Sequence, residues 1–193
     1  MATQTLLNGV NVNQLVETIG AIKDQPGIAK FQFRAKNHWV EGGYSKTTIQ
    51  SFYGGGQEDT SRTKPFVLEG DEPPVLLGEN RAPNAVETVL HALASCLSVG
   101  FVYNAAARDI HVEKLEMKME GNLDLHGFLG LSENIRPGYE NIQLTYKVKS
   151  DAPDEKINEL CEYVQKTSPV LDMLRNPVSV SINMDRFWEK NLM

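Results

Sequence analysis

Apolar residues at Val12, Leu15, Val16, Ile19 and Ile22 recur at three- and four-residue spacing, which predicts a short amphipathic helix over Asn11 to Lys23, ended by Gln25-Pro26-Gly27. From Ile28 the period becomes two: Phe31, Phe33 and Ala35 alternate with Gln32, Arg34 and Lys36. Gly42-Gly43 breaks the alternation, and the Thr- and Ile-rich run from Ser45 to Phe52 follows, so a β-hairpin turning at Glu41-Gly42-Gly43-Tyr44 is expected. Gly54-Gly55-Gly56 and the polar run to Lys64 read as an exposed loop, Pro65 to Leu68 as a short strand, and Asp71 to Pro83 as a charged, proline-rich loop.

A long helix is expected next. Asn84 suits an N-cap, and Glu87, three residues on, stands where a capping-box partner belongs. Val86, Val89, Leu90, Leu93, Cys96, Leu97, Phe101 and Val102 give a wide apolar face, with small residues on the remaining sides, as far as about Arg108. A helix apolar nearly all round is a buried one. It contains Glu87, His91, Ser95 and Asn104, so it reads as a core helix, not a span through lipid. Two longer strands follow, near His111 to Leu125 and Glu140 to Asp151, the second alternating Ile142, Leu144, Tyr146 and Val148 with polar residues. Pro153 opens a helix over about Asp154 to Lys166; Thr167-Ser168-Pro169 turns into a short helix around Leu171 to Leu174; Val178, Val180 and Ile182 suggest a last strand. Strands and helices come in runs, which argues an α+β fold. The expected division is an N-terminal helical extension over residues 1–27 and one domain over residues 28–193.

Composition narrows the function. Charged residues are 23% and apolar ones 41% of 193 residues, an ordinary globular composition, and the net charge of -6 offers no basic footprint for nucleic acid or an anionic membrane. The first ten residues carry no positive n-region or apolar core, so a cytoplasmic, reducing setting is expected. Two cysteines, Cys96 and Cys161, make no disulfide framework. Neither lies in a metal-ligand spacing, and His38, His91, His111 and His126 are scattered, so neither a metal nor another cofactor is expected. Gly54-Gly55-Gly56 lacks the Lys-Ser/Thr ending of a phosphate loop, and His91, Ser95 and Ser98 lack a nucleophile elbow.

One stretch resembles a known family. Ala82-Pro83-Asn84 through Cys96-Leu97 looks like the OsmC/Ohr signature, an Asn-Pro-Glu lead-in followed by an Ala-rich helix bearing a reactive cysteine. The exit Ala107-Arg108-Asp109-Ile110, the hairpin with His38-Trp39, and Ser168-Pro169-Val170, where the family often has Cys-Pro-Val, agree with it in order. The resemblance covers about Ala29 to Asn183. It implies an intertwined homodimer in which β-sheets enclose long central helices, and reduction of organic hydroperoxides by a peroxidatic cysteine with a resolving cysteine, an arginine and a glutamate.

The departures define the candidate residues. Cys96 matches the peroxidatic position. The family glutamate falls on Val86; Glu87 is one residue further, about half a turn of rotation from Cys96 on an ideal helix, and is either a site residue or a cap. Ser168 stands where the resolving cysteine would, and serine forms no disulfide. Cys161, two turns earlier, is either a substitute or a small core residue. The hairpin turn has Tyr44, Ser45 and Lys46 instead of arginine; Arg34 is the nearest guanidinium in sequence, with Lys46 its rival. Burial raises a thiol's pKa and a cation lowers it, so a reactive Cys96 requires a cation nearby. The implied chemistry is attack on a hydroperoxide to give a sulfenic acid, resolved by Cys161 or by an external thiol reductant. The alternatives are a catalytically degenerate relative that holds a small apolar ligand at the dimer interface, and an interaction protein with no ligand.

Overall fold

The computed structural model describes residues 6–186. Two-residue strands β1 (Leu6–Leu7) and β2 (Val10–Asn11) pair and lead into α1 (Val12–Asp24), whose N-cap Asn11 accepts a hydrogen bond from Gln14 N at 3.1 Å. Asn8 ties this N-terminal segment to the rest: its Nδ2 donates to Ile110 O (2.8 Å) and its Oδ1 accepts from Val112 N (2.9 Å).

The hairpin forms where the alternation predicts, β3 (Lys36–Glu41) with β4 (Tyr44–Ile49), and β7 (Phe66–Gly70) pairs on the other side of β4. Two details differ from the sequence expectation. Phe31 to Ala35 is not a continuous strand, since a single bridge joins Gln32 to Tyr53; instead Phe31, Phe33 and Phe52 stack with centroids 5.5–6.2 Å apart. Gly54-Gly55-Gly56 is not a free loop but the turn of a small hairpin, β5 (Phe52–Gly54) with β6 (Gln57–Asp59). A Cβ on Gly54 would lie 2.3 Å from the Phe31 ring, so the glycine is what lets the ring close over the strand.

The core is built on α2 (Ala85–Ala107), capped reciprocally by Asn84 and Glu87. By length and hydropathy alone this helix is able to cross a membrane. Here one side of it packs against a long antiparallel ribbon, β8 (Val112–Asn122) with β9 (Asn141–Ser150), and against α4 (Asp154–Thr167) and α5 (Pro169–Arg175). A short helix, α3 (Leu125–Phe128), lies between the two ribbon strands in sequence. Leu93, Leu97, Phe101, Ala105, Leu160 and Val164 are fully buried, and the inward residues of the ribbon, Leu115, Met117, Leu144, Tyr146 and Val148, close over them. Gly100 brings α4 close: a Cβ there would meet Val164 Cγ1 at 3.2 Å.

Burial in one chain is one-sided, which corrects the expectation of a helix buried all round. His91, Ser95, Val99 and Tyr103, four residues apart, form an exposed stripe, with Val99 and Tyr103 nearly half exposed. The expected last strand at Val178, Val180 and Ile182 is absent: residues 177–186 pair with nothing among the described residues, and these three side chains are 53–90% exposed. Alternation marks the side on which residues fall, but a strand also needs a neighbouring edge to pair with.

Candidate functional site

Cys96 is half-buried on α2, between the buried Leu93 and Leu97. Facing it is the junction of α4 and α5. Ser168 ends one helix and caps the next, a position that suits it because its hydroxyl accepts the Leu171 N–H (3.3 Å) and Pro169 needs no donor partner in the first turn. Ser168 is 5% exposed, and its Oγ lies 3.2 Å from Cys96 Sγ. With Leu171 N–H donated to the oxygen, the hydroxyl hydrogen remains free to be donated to sulfur. The residue at the expected resolving position therefore does face the thiol, although it is not a thiol itself.

Cys161, on α4, packs against the same core, and burial pushes its thiol pKa up; both cysteines are free. Tyr146 packs against the same core. Its ring sits 5.9 Å from that of Phe101, and its hydroxyl is buried with no hydrogen-bond partner among the described residues. Its pKa is pushed up to about 12, first by burial and then by the nearby thiols of Cys161 and Cys96. A cavity of about 590 Å³ opens beside this group, walled by Leu93 and Leu97 from α2, Leu144 and Tyr146 from β9, and Leu171 and Leu174 from α5. That volume suits a small organic molecule. Arg136 and Arg175 also line it.

The other candidates stand elsewhere. Glu87 is the third residue of α2; its Oε2 accepts from Asn84 N at 2.9 Å, and its charge helps raise the pKa of Tyr139. Val86, the position of the family glutamate, lines the cavity, and its carbonyl accepts the Tyr139 hydroxyl at 2.9 Å. Arg34 precedes β3 and grips Glu58 with both terminal nitrogens, at 2.9 and 2.7 Å. Lys46 pairs with Glu69 at 3.1 Å. Within one chain neither cation bonds to the Cys96 thiol, whose only hydrogen bond among the described residues is to Ser168.

Sequence reasoning missed Tyr146. Its signal was a polar-tipped aromatic in the inward register of a strand whose other inward residues are aliphatic.

A thiol on a long core helix, met by the turn between two later helices and closed over by a two-stranded ribbon, defines a thiol-centred α+β protein. The family model for OsmC-like protein matches residues 78–183, more than half of the chain. The chain belongs to that family. Its fold is similar to that of an OsmC-like protein from Mycoplasma pneumoniae (18% identity, TM-score 0.57, covering 76% of this chain and 89% of that one). It is also similar to a chain from Aquifex aeolicus (14%, 0.50, 82% and 98%). A third is a Vibrio cholerae chain provisionally described as an organic hydroperoxide resistance protein, with captopril bound in one of its active sites (14%, 0.50, 76% and 85%). At these identities the likeness establishes the fold alone. No curated protein matches the chain.

Proposed function

We propose that this protein reduces organic hydroperoxides through Cys96. The observation that carries the reading is the placement of the Cys96 sulfur, half-buried and 3.2 Å from the Ser168 hydroxyl, on a helix whose neighbouring Leu93 and Leu97 wall a cavity large enough for an alkyl or aryl hydroperoxide. The thiolate attacks the distal oxygen, giving a sulfenic acid and an alcohol. Ser168 cannot close a disulfide, so an external thiol, plentiful in a cytoplasmic setting, returns Cys96 to the reduced state, unless Cys161 moves to do so. The working form is a homodimer. The exposed stripe on α2 and the exposed Phe31, Phe33 and Trp39 of the N-terminal ribbon are the surfaces a second copy covers. Arg34 pairs with Glu58 and does not bond to the thiol of its own chain, so any role for it at a thiol requires the second copy's Arg34 to reach across the dimer and exchange Glu58 for the sulfur. Peroxide consumption with an added thiol tests the proposal: wild type turns over cumene hydroperoxide and Cys96→Ser does not. Equal rates for the two would overturn it.

A second reading has its own observation. No cation bonds to the Cys96 thiol among the described residues, so none of them supplies the positive charge that activates a nucleophilic cysteine. Under that reading the cavity holds a small apolar ligand and does no chemistry; a fluorescent apolar probe binds wild type and Cys96→Ser alike, and neither consumes peroxide.

A further inference from the structure

Four arginines bond within the chain: Arg34 to Glu58, Arg62 to the Gln50 carbonyl, Arg81 to Glu41 and Glu79, and Arg108 to Asn104. Arg136 and Arg175 differ. Neither guanidinium has a hydrogen bond or ion pair among the described residues, and both residues line the cavity of about 590 Å³. Arg136 belongs to the segment between α3 and β9. Its backbone packs so closely on Gly127 that a Cβ there would lie 2.5 Å from the Arg136 carbonyl oxygen. Its Nη2 is 3.9 Å from where a Cβ on Gly138, another lining residue, would stand, which puts the guanidinium at the cavity wall. Tyr139 pins the same segment through its hydrogen bond to Val86 O at 2.9 Å. Arg175 ends α5, whose Leu171 and Leu174 are walls of the cavity. Both arginines are exposed, so an aliphatic interior is bordered by two unpaired cations at its solvent side. One carboxylate, Glu140, also lines the cavity, and it pairs with neither.

We infer that this cavity binds a single-chain amphiphile with a carboxylate head, the head held by Arg136 and Arg175 and the tail lying among the leucines. The inference names the ligand of the cavity and stands whether or not Cys96 reduces peroxides. Two arginines and one glutamate leave the lining a single positive charge, which a monoanionic head balances. The two oxygens of a carboxylate match the parallel N–H groups of a guanidinium. A neutral apolar ligand would leave both cations unused, and a small anion without a tail would leave the apolar walls unused. The cavity volume lies within the range of sites for small organic ligands.

Calorimetric titration of the full chain tests the inference. Wild type should bind decanoate, with 1-decanol and decyltrimethylammonium at least about tenfold weaker and acetate weaker still. Arg136→Gln and Arg175→Gln should each weaken decanoate about fivefold, the most that a solvent-exposed ion pair is worth, and leave 1-decanol within about twofold of wild type. Glu140→Gln should tighten decanoate. No binding of decanoate, equal affinity for decanoate and 1-decanol, or Gln variants that bind decanoate as wild type does would each overturn the inference. Tighter binding of decyl phosphate than of decanoate would overturn the monoanionic head. Cys96→Ser should bind decanoate as wild type does, so a failure of the peroxidase reading is seen separately, in peroxide consumption. Should an arginine variant not fold, wild type alone decides. Added salt weakens decanoate relative to 1-decanol if the arginines hold the head, and an equal response of the two overturns the inference.

Discussion

Ser168→Cys is the perturbation that probes the site geometry most directly. Ser168 Oγ lies 3.2 Å from Cys96 Sγ, so a sulfur in its place needs only a small rotation to reach bonding distance. The cross-link would join positions 72 residues apart, which in the chain-entropy account corresponds to about 4 kcal/mol of stabilisation. Against that, the substitution removes the hydroxyl that accepts the Leu171 N–H at the start of α5, a loss of about 1 kcal/mol. The variant should therefore be about 1 kcal/mol less stable than wild type when reduced and about 3 kcal/mol more stable when oxidised, the difference of the two terms. Urea unfolding with and without reductant measures both. Peroxide chemistry supplies a second readout: wild type gains an oxygen on Cys96, whereas the variant loses two hydrogens and both thiols become resistant to alkylation. If the oxidised variant is no more stable than the reduced one, or the new thiol still alkylates after peroxide, the two side chains do not meet as described.

Three further outcomes are expected. The protein sediments as a homodimer at micromolar concentration, and Val99→Glu, placing a charge in the exposed stripe of α2, shifts it toward monomer; a stable, fully active wild-type monomer would refute this. Stability falls as pH rises through the alkaline range. Tyr146 titrates near 12 in the fold against an ordinary 10.0, so between those values the unfolded chain holds fewer protons and folding weakens. The Cys161 thiol, raised by burial above its ordinary 9.0, adds the same sign. After allowance for solvent screening at a half-buried ring, the tyrosine's share is about 1–2 kcal/mol, fully present below pH 10. Tyr146→Phe should flatten that part of the profile in denaturant titrations at successive pH values. Arg34→Met slows Cys96 alkylation at neutral pH by about tenfold if the second copy's ribbon brings a guanidinium to the thiol, equivalent to about one pKa unit. Lys46→Met is the matched control, and equal rates for wild type and both variants would exclude activation by either cation.

The elements that depend on nearest neighbours along the chain were legible beforehand. The capping box of Asn84 and Glu87, the hairpin at Gly42-Gly43, the alternating strand through Tyr146 and the Ser168-Pro169 helix start follow from local backbone chemistry and side-chain period, and the structure has each of them. The motif around Cys96 also pointed to the family and to the helix that carries the thiol. Tertiary structure decided what lies against what. It put Ser168, 72 residues away, in hydrogen-bonding reach of Cys96, left the Tyr146 hydroxyl buried without a partner among the described residues, and occupied Arg34 with Glu58. It also left Val178 to Ile182 unpaired despite their alternation. The physical reason is the same in each case. Period and capping constrain a residue's own backbone and the side it faces, whereas a pKa, a hydrogen bond across helices or a strand's pairing depends on atoms brought near only when the chain packs.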